Sequence, residues 1–309
     1  MKRKINLVGQ NTLTVSLPTK WAKRYNLKKG DEVEVSEEEK NIVLAPLNYK
    51  PEEKVCTIFV TKPKRLMSRK IFSLFRKGYN TIHINYDDPS VPKDIQRYIT
   101  AMIGFDIISQ KKNSCTIKNI ARVDEENFDN MLRRLFLVTL SLAEESYEII
   151  KAKDYHMLRD VAELEKTQNK IYLTCLRIIT VKGHILFENP YCYYSIVERL
   201  EDIGDKYKYI CTYIKENFDK NYKLSKQTLD LFAQVNDMLR KYYEFFYNFN
   251  DENAVYLIKK KKTLIVPSLE LLETVPKKEV RIVHSLIDAM RRIYEVAGAP
   301  TFGVWMKED

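Results

Sequence analysis

The sequence predicts an α+β chain in three parts: a short strand-rich module, a small α/β unit and a long, wholly helical remainder. Three observations carry that prediction. Apolar and polar residues alternate with period two in segments up to about residue 48. Strand-like runs and amphipathic helical stretches then follow one another through residues 49–122. From Val123 the apolar spacing becomes helical, with no glycine between Gly104 and Gly183 and no proline between Pro92 and Pro190.

The chain has 309 residues, 45% of them hydrophobic and 30% charged, an ordinary balance for a folded soluble protein with room for two or three cores. It holds no apolar run of about 18 residues or more, so no membrane insertion is expected. The start, Met1 to Ile5, leads into strand-like residues rather than a secretory leader, which points to the cytoplasm. The five cysteines (Cys56, Cys115, Cys175, Cys192 and Cys211) form no Cys-x-x-Cys pair and read as reduced, mostly buried thiols. No phosphate-binding loop, nucleophile elbow or His-Glu-x-x-His occurs. His83, His156, His184 and His284 lie scattered, so the chain reads as no enzyme and as requiring no cofactor.

Residues 1–48 form the first module. Leu13, Val15 and Leu17 alternate with Thr12, Thr14 and Ser16; Val33 and Val35 alternate with Glu32 and Glu34; Ile42 and Leu44 flank Val43. Pro18 opens a short helix over Thr19–Tyr25, and Gly30 marks the turn that leads out. Four strands and one helical turn cannot enclose a core of their own, so the module is expected to oligomerise. Its charge is polarised within the overall +10: Lys2, Arg3, Lys4, Lys20, Lys23, Arg24, Lys28 and Lys29 precede any acid. Asp31, Glu32, Glu34, Glu37, Glu38 and Glu39 then follow with no base among them. That basic face calls for an acidic partner.

The run from Thr12 to Val35 orders a strand, Ser-Leu-Pro-x-x-Trp-Ala and Leu-x-x-Gly-Asp-x-Val. It resembles the swapped-hairpin DNA-binding domain of the AbrB/SpoVT/MazE superfamily over residues 1–46. The resemblance implies a swapped-hairpin β-barrel homodimer whose basic face, built by both chains, lies on double-stranded DNA. Expected contacts are Lys2, Arg3, Lys4, Lys20, Lys23 and Arg24 to phosphates, with Gln10, Asn11 and Thr12 toward base edges.

Pro46 and Pro51 bracket a linker to the α/β unit, 49–122. Strands are expected at Val55–Val60, Thr81–Tyr86, Asp106–Ser109 and Cys115–Ile120, and helices at Lys64–Lys77 and Pro92–Ile103, stopped by Gly78 and Gly104. His83 reads as a strand surface residue. The last two strands are joined by the polar turn Gln110–Ser114.

The helical part, 123–300, starts at the acidic Asp124-Glu125-Glu126 and is expected as helices near 124–152, 155–182, 191–219, 225–250, 252–274 and 278–297, with Pro267 kinking or splitting the fifth. The segment Ser195–Asp205 aligns with Ser285–Glu295, including acids Glu198 with Asp288 and Asp205 with Glu295, which makes the bundle two three-helix repeats. Tyr191–Tyr194 and Tyr242–Tyr247 read as core or interface packing.

Glu198-Arg-Leu-Glu-Asp-Ile-Gly-Asp205 resembles the corresponding segment of PhoU-type phosphate-uptake regulators, and an AbrB-like domain ahead of such a bundle is similar to archaeal members of that group. The resemblance implies a PhoU-like helical bundle and a divalent metal held by Glu198, Glu201, Asp205 and, from the second helix, Glu165. Asn169, Arg291 and Ala299 replace acids of that pattern. The alternative for these carboxylates is a solvated face paired with bases one turn away, such as Asp205 with Lys208.

These readings converge on a DNA-binding transcriptional regulator of phosphate homeostasis, partnered through its bundle by a phosphate transporter or signalling protein. Two alternatives stand beside it: a PhoU-like adaptor that uses the first module only to dimerise, and an antitoxin-like regulator.

Overall fold

The computed structural model describes residues 2–38, 41–47, 53–60, 65–121, 128–219 and 221–306. The expected boundaries at 48/49 and 122/123, Glu39, Pro51, the Lys64 helix start and Asp124-Glu125-Glu126 lie outside the described residues. The fold is mixed α+β, with N-terminal strands, a small central sheet and a C-terminal helical bundle. It divides into two compact units, Met1–Glu53 and Lys54–Asp309.

In the first unit, β1 (Ile5–Val8) and β2 (Thr12–Val15) form one antiparallel hairpin, and β3 (Val33–Glu38) and β4 (Asn41–Pro46) another. Helix α1 (Thr19–Arg24) joins them. Its start at Pro18 follows from the fixed φ of proline, and its exit uses positive φ at Asn26 and Gly30.

The second unit opens with β5 (Val55–Val60), α2 (Arg65–Arg76), β6 (Thr81–Tyr86), α3 (Val91–Ile99), β7 (Phe105–Lys111) and β8 (Ser114–Asn119). Strand order is β5-β6-β8-β7, with β5 parallel to β6 and the other pairs antiparallel. Register puts Ile58, Ile84 and Cys115 in one row and Ile82 and Ile117 in another, facing the buried Met67, Ile71 and Phe75 of α2 and Val91 and Ile95 of α3. The opposite face carries Val55, Thr57, Phe59, His83 and Thr116. His83 Nδ1 lies 3.0 Å from Thr116 Oγ1, so it is a strand residue with a cross-strand partner. Helix α3 ends at Ile99, four residues earlier than its pattern suggested, because turns carry residues 100–104 to the positive φ of Gly104.

The bundle comprises α4 (Phe128–Ala152), a 3₁₀ turn (Tyr155–Met157), α5 (Leu158–Leu186), α6 (Pro190–Asn217), α7 (Lys226–Tyr247), α8 (Asp251–Thr274), α9 (Val280–Val296) and α10 (Ala299–Trp305). Helices α4, α5 and α6 pack together, as do α7, α8 and α9, and α6 lies along α9. The third helices of the two repeats thus form the seam. Helix α8 continues through Pro267 as one element rather than splitting. Helix α10 went unforeseen because Pro300 and Gly303 disguise it. It is anchored by buried Thr301, whose hydroxyl donates to Val296 O at 2.7 Å and meets Tyr242 Oη at 3.2 Å.

Tyr242, Phe245 and Phe246 are buried, with Phe136 of α4 against Tyr242 and Phe246. The other tyrosine stretch differs: Tyr193 packs on Phe128 and Phe187, but Tyr191 is 87% exposed. Arg177 of α5 joins bundle to sheet. Its guanidinium donates to Phe75 O and Tyr79 O and lies over the Phe75 and Phe105 rings, so both its charge and its plane are used.

Glu279, wholly buried at the start of α9, accepts from Tyr222, from Ser225 through both N and Oγ, and from Thr228. Its position ties the α6–α7 connection to α9, and the donors offset the cost of burying a carboxylate. Gln168 of α5 donates to Thr139 Oγ1 at 2.8 Å and Leu200 O at 2.7 Å, and the space beside it exists because residue 204 lacks a side chain. A Cβ at Gly204 would stand 1.9 Å from Gln168 Oε1. Gly204→Ala is therefore expected to destabilise the chain by about 1–3 kcal/mol through overpacking, measured by urea unfolding, with Gln168→Ala in the same chain relieving the clash.

Candidate nucleic-acid interface and bundle carboxylates

In the first unit the hairpin register pairs Ile5 with Val15 and Leu7 with Leu13, gathering four apolar side chains on one face. None is covered within the chain. Ile5, Leu7, Leu13 and Val15 are all more than half exposed, as are Val35, Ile42 and Leu47. No described residue from 2 to 47 is buried. An apolar hairpin face of this kind needs a second surface to close it.

The nine expected DNA contacts are all exposed. Lys2, Arg3 and Lys4 lead into β1. Gly9, at φ +68°, opens the three-residue turn that carries Gln10 and Asn11, and Thr12 begins β2. On α1, Lys20, Lys23 and Arg24 fall at the i, i+3, i+4 spacing of one helix face, opposite the half-buried Trp21, Ala22 and Tyr25. Trp21 and Tyr25 pack edge to face at 5.3 Å, which fixes the helix surface from below. Asp31, Glu32, Glu34 and Glu37 are likewise exposed, and Asp31 Oδ2 accepts from Lys28 N at 2.7 Å in the turn before β3.

On the bundle, the four expected metal ligands lie in one neighbourhood but are used in different ways. Glu165 is buried and takes Lys208 Nζ at 2.5 Å and Asn169 Nδ2 at 2.6 Å. Lys208 thus gives its hydrogen bond to Glu165, while its charge still acts on Asp205, the partner expected for it. Glu198 accepts from Tyr172 Oη at 3.0 Å and lies 3.6 Å from Arg76 Nη1 of α2. Glu201 carries a pKa pushed up to about 7, first by burial and then by Asp205, Asp202, Glu198 and Glu165. Asp205 is raised by burial and by Glu165 and Asp202, against the pull of Lys208.

The aligned acids of the second repeat are paired across the α6–α9 seam. Lys206 holds Asp288 at 2.9 Å, Arg199 holds Glu295 at 3.3 Å, and Arg292 reaches Asp202 at 3.6 Å. Such pairs set the register of the two helices more than they add stability. Among the described residues no three His, Cys, Asp or Glu side chains gather as a metal-holding group. Two of the four carboxylates have a cation beside them, Lys208 at Glu165 and Arg76 at Glu198. Sequence reasoning named Lys208 but as the partner of Asp205, and it missed Arg76, which comes from α2.

Two expectations follow. A carboxyl that binds its proton more tightly when folded contributes stability at low pH and loses it as pH rises. In metal-free buffer, stability should therefore fall between the ordinary carboxylate value of 4.5 and about 7, and Glu201→Gln should flatten that fall in urea midpoints measured across the window. Val15→Asp should place an unpaired charge in the apolar hairpin face, costing on the order of several kcal/mol. Trp21 fluorescence in a Trp305→Phe background should report loss of the first unit, while the bundle melts as before.

Residues 8–52 match the family described as antidote-toxin recognition MazE, bacterial antitoxin. No curated protein matches the chain in sequence. Among solved structures the chain is similar to the phosphate transport system regulatory protein PhoU from Streptococcus pneumoniae, at 15% identity and a TM-score of 0.45, over 60% of this chain and 98% of that one. Among the described residues no helix is long and apolar enough to cross a membrane.

Proposed function

We propose that the chain is a non-enzymatic, cytoplasmic regulator of transcription that grips double-stranded DNA as a homodimer through its first unit. The observation that carries this reading is the coincidence of two properties among the described residues of 2–47: every expected contact side chain is exposed, and none of these residues is buried. Pairing two copies closes the apolar hairpin faces and doubles the cationic surface. The MazE-family match over residues 8–52 supports the same use. The likeness of Glu198–Asp205 to PhoU-type regulators supports a role in phosphate homeostasis, with the bundle receiving a transporter or signalling protein. No cofactor is required. A divalent cation would have Glu201 and Asp205 as its remaining open carboxylates.

The antitoxin description of the matched family favours a second reading in which the first unit also captures a toxin. Against it stands a folded bundle where a short disordered toxin-binding tail would be expected.

Two copies of the basic stretch neutralise roughly six phosphates, so log K against log salt should have a slope of about −5. Arg3→Ala and Arg24→Ala should each flatten it by about one to two units, since each change occurs twice in a dimer. Asn11→Ala should leave the slope in place and reduce discrimination between sequences. A salt titration of duplex binding checks all three; no binding at low salt would leave the adaptor role as the better account.

A further inference from the structure

The two edges of the central sheet are built differently. Edge strand β7 carries Asp106 and Lys111, and its register shifts between Ile107 and Ser109, a bulge that interrupts pairing. Charges and bulges on an edge are the devices that stop sheets from adding strands. Edge strand β5, Val55-Cys-Thr-Ile-Phe-Val60, has no charge, no proline and no register shift. Among the described residues it pairs with β6 alone, and its outward side chains Val55 and Phe59 are about half exposed at 50% and 49%. An uncharged, β-rich, regular edge is a template for another strand.

We infer that β5 pairs antiparallel with β5 of a second copy, making one eight-stranded sheet across a two-fold axis. An axis perpendicular to the sheet at Thr57 keeps the α2 and α3 helices of both copies on one side. It sets Val55 opposite the second copy's Phe59 and Thr57 opposite its own equivalent on the open face, with Cys56 opposite Ile58 on the covered face. Each pair is aromatic with β-branched, polar with polar, or apolar with apolar, and no like charges meet. The occupant is a second copy because β5 follows β4 after only residues 47–54, a tether of roughly 27 Å at full extension. Dimerisation of the first unit then holds two β5 strands at high local concentration. That concentration depends on the N-terminal pairing proposed above, whereas the unprotected edge does not.

The test is sedimentation equilibrium of the full chain as wild type, Val15→Asp, Thr57→Lys and the double variant, with circular dichroism of the bundle as the folding control. Thr57 is exposed, so lysine is tolerated in one chain, yet across the axis two lysines would face each other. Val15→Asp should still self-associate, and adding Thr57→Lys should weaken that association at least tenfold. In wild type, the alternate β5 amides pointing away from β6 should be protected from hydrogen exchange, and Thr57→Lys should expose them. A Val15→Asp chain that is monomeric at every concentration overturns the β5 pairing and leaves the N-terminal dimer standing. Self-association of Val15→Asp that is indifferent to Thr57→Lys, or unprotected outward amides in wild type, also overturns it. A monomeric wild type overturns both.

Discussion

Burial is the constraint on which the rest of the account depends. The hairpin of β1 and β2 brings Ile5, Leu7, Leu13 and Val15 together, and each of the four remains more than half exposed. Hydrophobic burial is worth about 25 cal/mol per Å², and a module of this length cannot collect enough of it alone. In the proposed homodimer, self-association therefore serves folding first, and it has an electrostatic result. Cations that repel one another within a chain are doubled on the assembled unit, which an anionic polymer can neutralise.

The second unit solves its packing internally, and there charge is used for registration. Ile203 and Tyr207 of α6 and Ile287 and Met290 of α9 are buried, and crossed ion pairs join the two helices. Glu279 and Arg177 take the few buried charges, each surrounded by hydrogen-bond partners that replace water. Glu201 is different, because its nearest electrostatic neighbours are acids. Burial first, and those acids second, push its carboxyl up to about 7.

Much of this was legible because local rules and tertiary structure agree. Strand Thr81–Tyr86 follows directly from period-two alternation, strand Val55–Val60 from a short apolar run rich in β-branched and aromatic residues, and the helices of the bundle from sustained helical spacing. The alignment of Ser195–Asp205 with Ser285–Glu295 anticipated repeats, and those two segments meet face to face. What escaped was set by long-range contacts. No sequence spacing links Arg76 to Glu198, and none reveals that Lys208 turns to Glu165. Pro267 fails to split its helix, which neighbouring α7 and α9 hold in place, and α10 is decided by the pocket for Thr301 rather than by helix propensity. On the first unit, the exposure of the polarised charges was readable, since charge polarisation and turn chemistry are local.

In the proposed function, the first unit becomes a structured, DNA-competent surface only when two chains share it. Hydrogen exchange at Ile5–Val15 and Val33–Pro46, followed as the full-length chain is diluted, tests this most directly. Both hairpins should be protected, and that protection should be lost together with the dimer on dilution, while bundle amides such as those of α6 stay protected. Hairpin protection that is independent of concentration, in a chain of monomer mass, would contradict it.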